Sequence, residues 1–157
     1  MFKLLIPQKR SLFYQKLAGF SYGNYFNSGV HMNPHPSKIH KGGEDAYGVS
    51  ENNRLLTMTD GVGGWADSGV DPALYSRELC QIMTNFSDIE KRFIFEPKDN
   101  FIEAVAQNYQ IGSCTCVAME IDEKLAEVKT VNLGDSGYLW LRKQGIDLII
   151  QHESKRE

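Results

Sequence analysis

Two short runs that mix apolar and β-favouring residues mark the first clear elements along the chain. They lie at 45–50 and 54–59, and the turn-forming tetrapeptide SENN lies at their junction. This pattern predicts two short strands joined as a β-hairpin. The segment 61–69 contains four glycines. Because glycine weakens both helices and strands, we expect no regular element there.

A helical spacing of apolar residues follows the glycine-rich segment. Asp71 and Pro72 are typical of a helix start, since Asp caps free N–H groups and Pro fits the first helical position. The apolar stripe of this helix is formed by Leu74, Leu79, Ile82, Met83 and Phe86. A second helix is predicted from 97 to 109. Its inward positions are predicted to be Phe101, Ile102, Val105 and Ala106.

The remainder of the chain is rich in strand patterns. Strands are predicted at 113–121, 125–133, 136–143 and 147–151, separated by turns, and their order indicates an antiparallel meander. Helices and strands come in blocks and do not alternate. The fold class is therefore predicted to be α+β, not a doubly wound parallel sheet.

Length and charge narrow the classes of protein. The 157 residues suit one domain, and no apolar run is long enough for a membrane-spanning helix. Residues 1–43 carry six Lys or Arg and no acid, whereas 44–157 carry eleven basic and all twenty acidic residues. This acidic folded part argues against a nucleic-acid partner. Residues 1–19 are predicted to be a basic leader or disordered terminus, and 20–157 the domain. The leader composition fits an organellar transit peptide or an ordinary first strand with a ragged terminus.

Cysteine usage indicates neither a disulfide framework nor a zinc site. The chain has three cysteines, Cys80, Cys114 and Cys116, and the last two share one face of a predicted strand. Two thiols without a second Cys or His pair make a poor zinc site. We therefore expect reduced, buried thiols that pack as small apolar groups.

Three carboxylates and a glycine form the candidate metal site. Glu44 and Asp45 begin the first predicted strand, and Asp60 ends the second, so hairpin pairing brings them together. Gly61 follows, where a backbone carbonyl could approach a ligand closely. Mg²⁺ and Mn²⁺ prefer such oxygen ligands. Two plainer interpretations remain at this point: a solvated strand edge for the Glu-Asp pair, and a hairpin turn for Asp-Gly.

Four ordered motifs resemble those of one family. GGEDAY at 42–47 and TDGVGGW at 59–65 resemble the first two signature blocks of PPM (type 2C) metal-dependent serine/threonine protein phosphatases. GSCTC at 112–116 and NLGDSG at 132–137 resemble the next two. DPALYSREL at 71–79 further resembles the branch that contains mitochondrial and chloroplast members. The resemblance covers about residues 20–155, which is the N-terminal half of a PPM domain.

The resemblance implies a four-layer α-β-β-α sandwich, incomplete in this chain, with a two-metal centre of Mn²⁺ or Mg²⁺. The implied metal residues are Glu44, Asp45, Asp60, Gly61 and Asp135, of which Asp45 acts through water and Asp135 lies near an additional metal. The implied reaction is dephosphorylation of phosphoserine or phosphothreonine in proteins by a metal-activated water. The implied partners are phosphorylated proteins, and we expect a monomer. The implied location is a mitochondrion or other organelle, with the cytoplasm as the alternative.

The sequence departs from the family pattern in three respects. Val62 stands where many members have a proposed general-acid His, and His40 and Lys41 stand where many have a phosphate-binding Arg. No catalytic or substrate-binding residue is therefore assigned. The later aspartate blocks of the family are absent from these 157 residues. The metal centre is accordingly expected to lack ligands, and the alternative function is an inactive phosphatase fold that acts as a binding module.

Overall fold

The computed structural model describes residues 25–88, 97–123 and 125–155. The strands are β1 (Asp45–Val49), β2 (Leu55–Asp60), β3 (Cys116–Asp122), β4 (Glu127–Leu133), β5 (Leu139–Gln144) and β6 (Asp147–Glu153). The helices are α1 (Pro72–Asp88) and α2 (Pro97–Gln107), with 3₁₀ helices η1 (Pro36–Lys41) and η2 (Gly63–Ser68). The predicted leader at 1–19 and residues 20–24 lie outside the described residues.

The first four strands form one antiparallel sheet in the order β1-β2-β3-β4. The predicted hairpin of β1 and β2 is confirmed. Its turn is closed by Ser50, whose Oγ accepts hydrogen bonds from the N–H groups of Arg54 (3.2 Å) and Leu55 (2.9 Å). Asn53 adopts a left-handed φ of 56°, which asparagine tolerates better than most residues. The turn fixes the register so that Asp45 pairs with Asp60 at the far end.

Helix α1 packs on this sheet and supplies three of the seven residues in the buried core cluster. The Asp71 carboxylate accepts from the N–H of Ala73 at 3.1 Å, as expected of a residue that caps a helix start. The core cluster contains Leu79, Met83 and Phe86 from α1, which pack with Leu55, Ala104, Cys116 and Ala118. The prediction for Leu74 is wrong, because its side chain is 48% exposed. Leu74 lies in the first turn of α1, on the side that faces away from the sheet.

Helix α2 buries a different face from the one predicted. Ala104 is fully buried and Phe101 packs against the core. Ile102, Val105 and Ala106 are exposed, so their inward placement is wrong. Helix α2 contacts α1, β3 and β4 along a narrow stripe of its surface. Its apolar residues outside that stripe are therefore left in solvent.

The predicted four-strand meander is wrong, because β5 and β6 form a separate two-stranded sheet. Between β4 and β5 the backbone passes through Gly134 at a φ of +89°, which a side chain would strain. A hydrogen bond of 2.6 Å then joins the hydroxyl groups of Ser136 and Thr115. These features turn the chain out of the first sheet. Every residue of β5 and β6 is exposed.

The glycine-rich segment 61–69 is more regular than predicted. It contains the 3₁₀ helix η2, which is capped by Gly69 in a left-handed conformation with φ +75°. The indole N–H of Trp65 donates to the Oγ of Ser113 at 2.9 Å. A glycine cap and one anchored aromatic side chain are enough to order a short helix that propensity alone disfavours.

The described residues confirm an α+β structure with two helices on one sheet. Cys80, Cys114 and Cys116 are free thiols; the first and last are buried and Cys114 is half-buried. Burial raises the pKa of the Cys114 thiol to about 12, so the thiol is protonated at neutral pH, as predicted for cysteines that pack as apolar groups. In the described part of the chain, no helix has both the length and the apolar character needed to cross a membrane.

Candidate metal centre

Asp45 and Asp60 meet at the open end of the β1–β2 hairpin. They are direct cross-strand partners, because the turn at Ser50 sets the register of the whole pair. Both side chains are half-buried. Strand pairing alone thus places two acids side by side, as the sequence predicts.

Burial, together with the proximity of Asp60, raises the pKa of Asp45. Burial, the hydrogen bond to Asp60 and the negative charge of Asp60 together raise the pKa of Asp45 from 3.8 to about 6. Two carboxylates in contact repel each other unless one is protonated or a cation lies between them. A hard divalent ion between the two carboxylates would relieve this repulsion.

Removal of the Asp45 charge is expected to stabilise the metal-free chain at neutral pH. The folded-state pKa of about 6 lies above the ordinary 3.8, so this group disfavours folding increasingly as pH rises through that interval. Asp45→Asn should raise the free energy of unfolding by about 1 kcal/mol at pH 7, after allowance for solvent screening. At pH 4.5 the gain should be smaller. Urea unfolding at both pH values measures it, and an equal gain at both would contradict the assignment.

Glu44 is held by its backbone on one side and by a lysine on the other. Its carbonyl oxygen accepts from the Oγ of Ser76 at 2.6 Å and from the N–H of Gly61 at 3.1 Å. Its carboxylate contacts the ammonium of Lys38. Helix α1 therefore fixes the backbone of the predicted ligand, and η1 supplies the partner of its side chain.

Gly61 lies at a crowded crossing of three segments. It pairs with Cys114 in an isolated β-bridge. A Cβ atom at this position would lie 2.7 Å from the carbonyl oxygen of Pro72 and 2.8 Å from that of Glu44. Only glycine allows β2 to continue so close to the start of α1. The approach of the Gly61 carbonyl to a ligand stays a prediction.

Asp135 stands apart from the carboxylate pair but is connected to it. Its side chain is exposed in the β4–β5 connection. The next residue, Ser136, is hydrogen-bonded to the Oγ of Thr115 at 2.6 Å, and that oxygen accepts from the N–H of Asp60 at 3.2 Å. Thr115 also donates its N–H to the carbonyl of Asp60 at 2.9 Å. Thr115 therefore connects the turn of Asp135 to the strand end at Asp60.

The donor set fits a hard cation in chemistry but is not assembled as a complete site. Across residues 25–88, 97–123 and 125–155, no group of three or more His, Cys, Asp or Glu side chains is arranged to hold a metal. The structure brings Asp45 and Asp60 together, with Gly61 adjacent. Glu44 reaches the same strand end but is paired with Lys38, and Asp135 is separate.

Sequence reasoning missed three residues that organise this region. Lys38, Ser76 and Thr115 contact Glu44 or Asp60 from other elements. Thr115 lies inside the GSCTC motif and Ser76 inside DPALYSREL, and each motif offers a signal. Lys38 belongs to no motif of its own. The basic residues that were singled out, His40 and Lys41, are exposed.

Comparisons with known proteins identify the family. No protein-family model matches the chain. The chain is 35% identical over 116 residues to Probable protein phosphatase 2C 26 of Arabidopsis thaliana, covering 73% of this chain and 38% of that protein. It is 34% identical over 139 residues to Probable protein phosphatase 2C 1 of Oryza sativa subsp. japonica, covering 88% and 41%. The X-ray structure of the photosystem II phosphatase PBCP matches with a TM-score of 0.70 and 30% identity, over 81% of this chain and 48% of that chain.

The chain belongs to the PPM family. It spans about two fifths of the length of the curated relatives named above, and its motifs are those of the N-terminal half of the PPM domain. The described residues supply one helical layer and one four-stranded sheet of the PPM sandwich, together with the β5–β6 hairpin. The predicted fold, an incomplete α-β-β-α sandwich, is confirmed by the PBCP match.

Proposed function

We propose that this protein acts in the metal-dependent dephosphorylation of phosphoserine and phosphothreonine in proteins. Membership of the PPM family supports the reaction class, and the paired carboxyl groups of Asp45 and Asp60 support the metal dependence. Mn²⁺ or Mg²⁺, when bound, supplies Lewis-acid activation of a water and neutralises phosphate charge. The cross-strand pairing of Asp45 with Asp60 at the open end of the hairpin is the single observation that carries the proposal, because it places two carboxyl groups where one cation could balance both.

The proposed roles follow the positions of the residues. Asp60 and Glu44 are proposed direct ligands, and Asp45 is proposed to act through a water because it is the chain neighbour of Glu44 and adjacent residues of a strand point to opposite faces. The Gly61 carbonyl is a further proposed donor at the same strand end. Asp135 is proposed to serve an additional metal, approached from the β4–β5 connection. Thr115 and Ser76 hold the backbones of Asp60 and Glu44 and so orient the set.

Phosphate release from a phosphothreonine peptide tests the proposal. For the 157-residue chain with Mn²⁺ we expect weak release, since the later aspartate blocks of the family are absent from this sequence. The release should require the metal and be lost in Asp60→Asn, because a neutral amide at Asp60 removes a charged ligand. Strong turnover would contradict the expectation of an incomplete site. Release that survives both Asp60→Asn and chelation would contradict the proposed function.

A binding module is the second candidate function. It is favoured by the absence of a complete ligand group among the described residues. Such a module would bind the phosphopeptide without releasing phosphate, so the same assay, combined with a binding measurement, separates the two functions. We further propose a monomer that acts on phosphorylated proteins.

An organellar location, in a mitochondrion or another organelle, is also proposed. It is supported by the acid-free, basic composition of residues 1–43 and by the similarity to PBCP, which is named as a photosystem II phosphatase. The cytoplasm is the alternative location.

A further inference from the structure

The contact between Lys38 and Glu44 joins a cation to a proposed metal ligand. The Lys38 ammonium lies against the Oε2 atom of Glu44, six residues along the chain. The Glu44 side chain is only 15% exposed, whereas that of Lys38 is 39% exposed. A half-buried carboxylate is thus neutralised by a lysine that still reaches solvent. Ammonium is a compact point charge with three donors, and it is a chemical counterpart of a metal ion at such an oxygen.

The backbone of η1 holds Lys38 in this position. The N–H of Lys38 donates to the carbonyl of His35 at 2.8 Å, and its own carbonyl accepts from Gly43 at 3.1 Å. The Arg77 guanidinium of α1 donates to the carbonyls of Lys41 and Gly43 at 3.0 and 3.3 Å. Hydrogen bonds therefore hold the end of η1 both to neighbouring backbone and to α1. These bonds fix the position of the Lys38 backbone.

Gly63 leaves the space that the ion pair fills. A Cβ atom at Gly63 would lie 3.1 Å from both the Lys38 ammonium and Glu44 Oε2. The paired charges thus lie beneath the first residue of η2, in the glycine-rich motif that follows Asp60. Segments from η1, the start of β1 and η2 meet at this one carboxylate.

We propose that Lys38 is an internal competitor for the metal at Glu44, which it neutralises in the metal-free protein and must release when a divalent ion binds. This inference rests on the proposed function, because it takes Glu44 as a metal ligand. The competition has a direct consequence: a metal ion that binds Glu44 through Oε2 must replace an existing charge-assisted hydrogen bond. Lys38 therefore lowers the metal affinity of the site and keeps Glu44 satisfied when no metal is present.

Calorimetric titration of the 157-residue chain with Mn²⁺ tests the competition. Lys38→Met keeps the apolar length of the side chain and removes the charge. We expect it to bind Mn²⁺ about tenfold more tightly than the unchanged chain. Lys41→Met is the matched control, since Lys41 lies in the same helix and its side chain is exposed. It removes an equal charge and should change the affinity less than twofold. In a Glu44→Gln background, Lys38→Met should give no gain.

Each other outcome of the titration overturns the proposal in a distinguishable way. Unchanged or weaker Mn²⁺ binding by Lys38→Met would show that the lysine supports Glu44 and does not compete for it. An equal gain in Lys41→Met would assign the effect to overall charge. A gain that persists with Glu44→Gln would place the competition elsewhere. If neither the unchanged chain nor Lys38→Met binds Mn²⁺, the proposed metal function fails together with this inference.

Discussion

Gly61→Ala is expected to destabilise the chain by about 3 kcal/mol, a large effect for the addition of one methyl group. The new Cβ would lie 2.7 Å from the Pro72 carbonyl oxygen and 2.8 Å from that of Glu44. Both are backbone atoms, so neither can move aside by a side-chain rotation. The strand end at Asp60, the start of α1 and the Glu44 backbone would have to separate, and the bond from the Gly61 N–H to Glu44 would weaken.

Gly64→Ala is the matched control for this prediction. Gly64 lies in the same motif, and a Cβ atom there meets nothing within 4 Å. Its substitution should change the free energy of unfolding by less than about 0.5 kcal/mol. Urea unfolding monitored by circular dichroism compares the two variants. Equal stability of Gly61→Ala and Gly64→Ala would show that the three segments do not pack as closely at Gly61 as the structure has them.

The sequence predicts local elements well where the pattern and the caps agree. The β1–β2 hairpin and the start of α1 follow from two short strand-like runs, a polar turn and an Asp-Pro cap. The face of α2 could not be predicted in the same way. Its apolar residues occupy more than one stripe, and the choice of Ala104 over Val105 depends on how closely α1 and β4 approach. This approach is a tertiary property, which the periodicity of the sequence does not predict.

The pairing of the later strands shows the same limit. Four strand patterns in succession favour a meander, but the hydrogen bond between Ser136 and Thr115 and the left-handed Gly134 divide them into two sheets. Gly134 is visible in the sequence only as a turn residue. Whether a turn returns a strand to the same sheet depends on contacts distant in the chain, here with the start of β3.

The sequence predicts the acidic residues of the candidate site, but not the residues that hold them in place. The cross-strand pairing of Asp45 with Asp60 follows from the hairpin register. Lys38 was not predictable, because its approach to Glu44 requires η1 to fold back over the β1 start. Ser76 likewise reaches Glu44 only because α1 crosses the sheet there. Residues that are close in space but belong to different elements produce no periodic pattern in the sequence.

Asp60→Asn is expected to weaken Mn²⁺ binding at least tenfold, the largest functional effect among the predicted substitutions. Asparagine keeps the size of the side chain and leaves the backbone bonds to Thr115 in place, so the fold should persist. It removes one of the two charges that the metal would balance at this strand end. The charge of Asp45 then has no like-charged partner across the strand pair, so the electrostatic attraction of this strand end for a cation is weaker.

The most direct test of the central claim is a Mn²⁺ titration followed by electron paramagnetic resonance, which reports the free ion. The paired acids at the ends of β1 and β2 predict saturable binding by the unchanged chain and its loss in Asp60→Asn. Asp67→Asn, which removes an exposed acid of η2, should bind as the unchanged chain does. Equal binding by Asp60→Asn and the unchanged chain, or an equal loss in Asp67→Asn, would contradict a metal centre at this strand end.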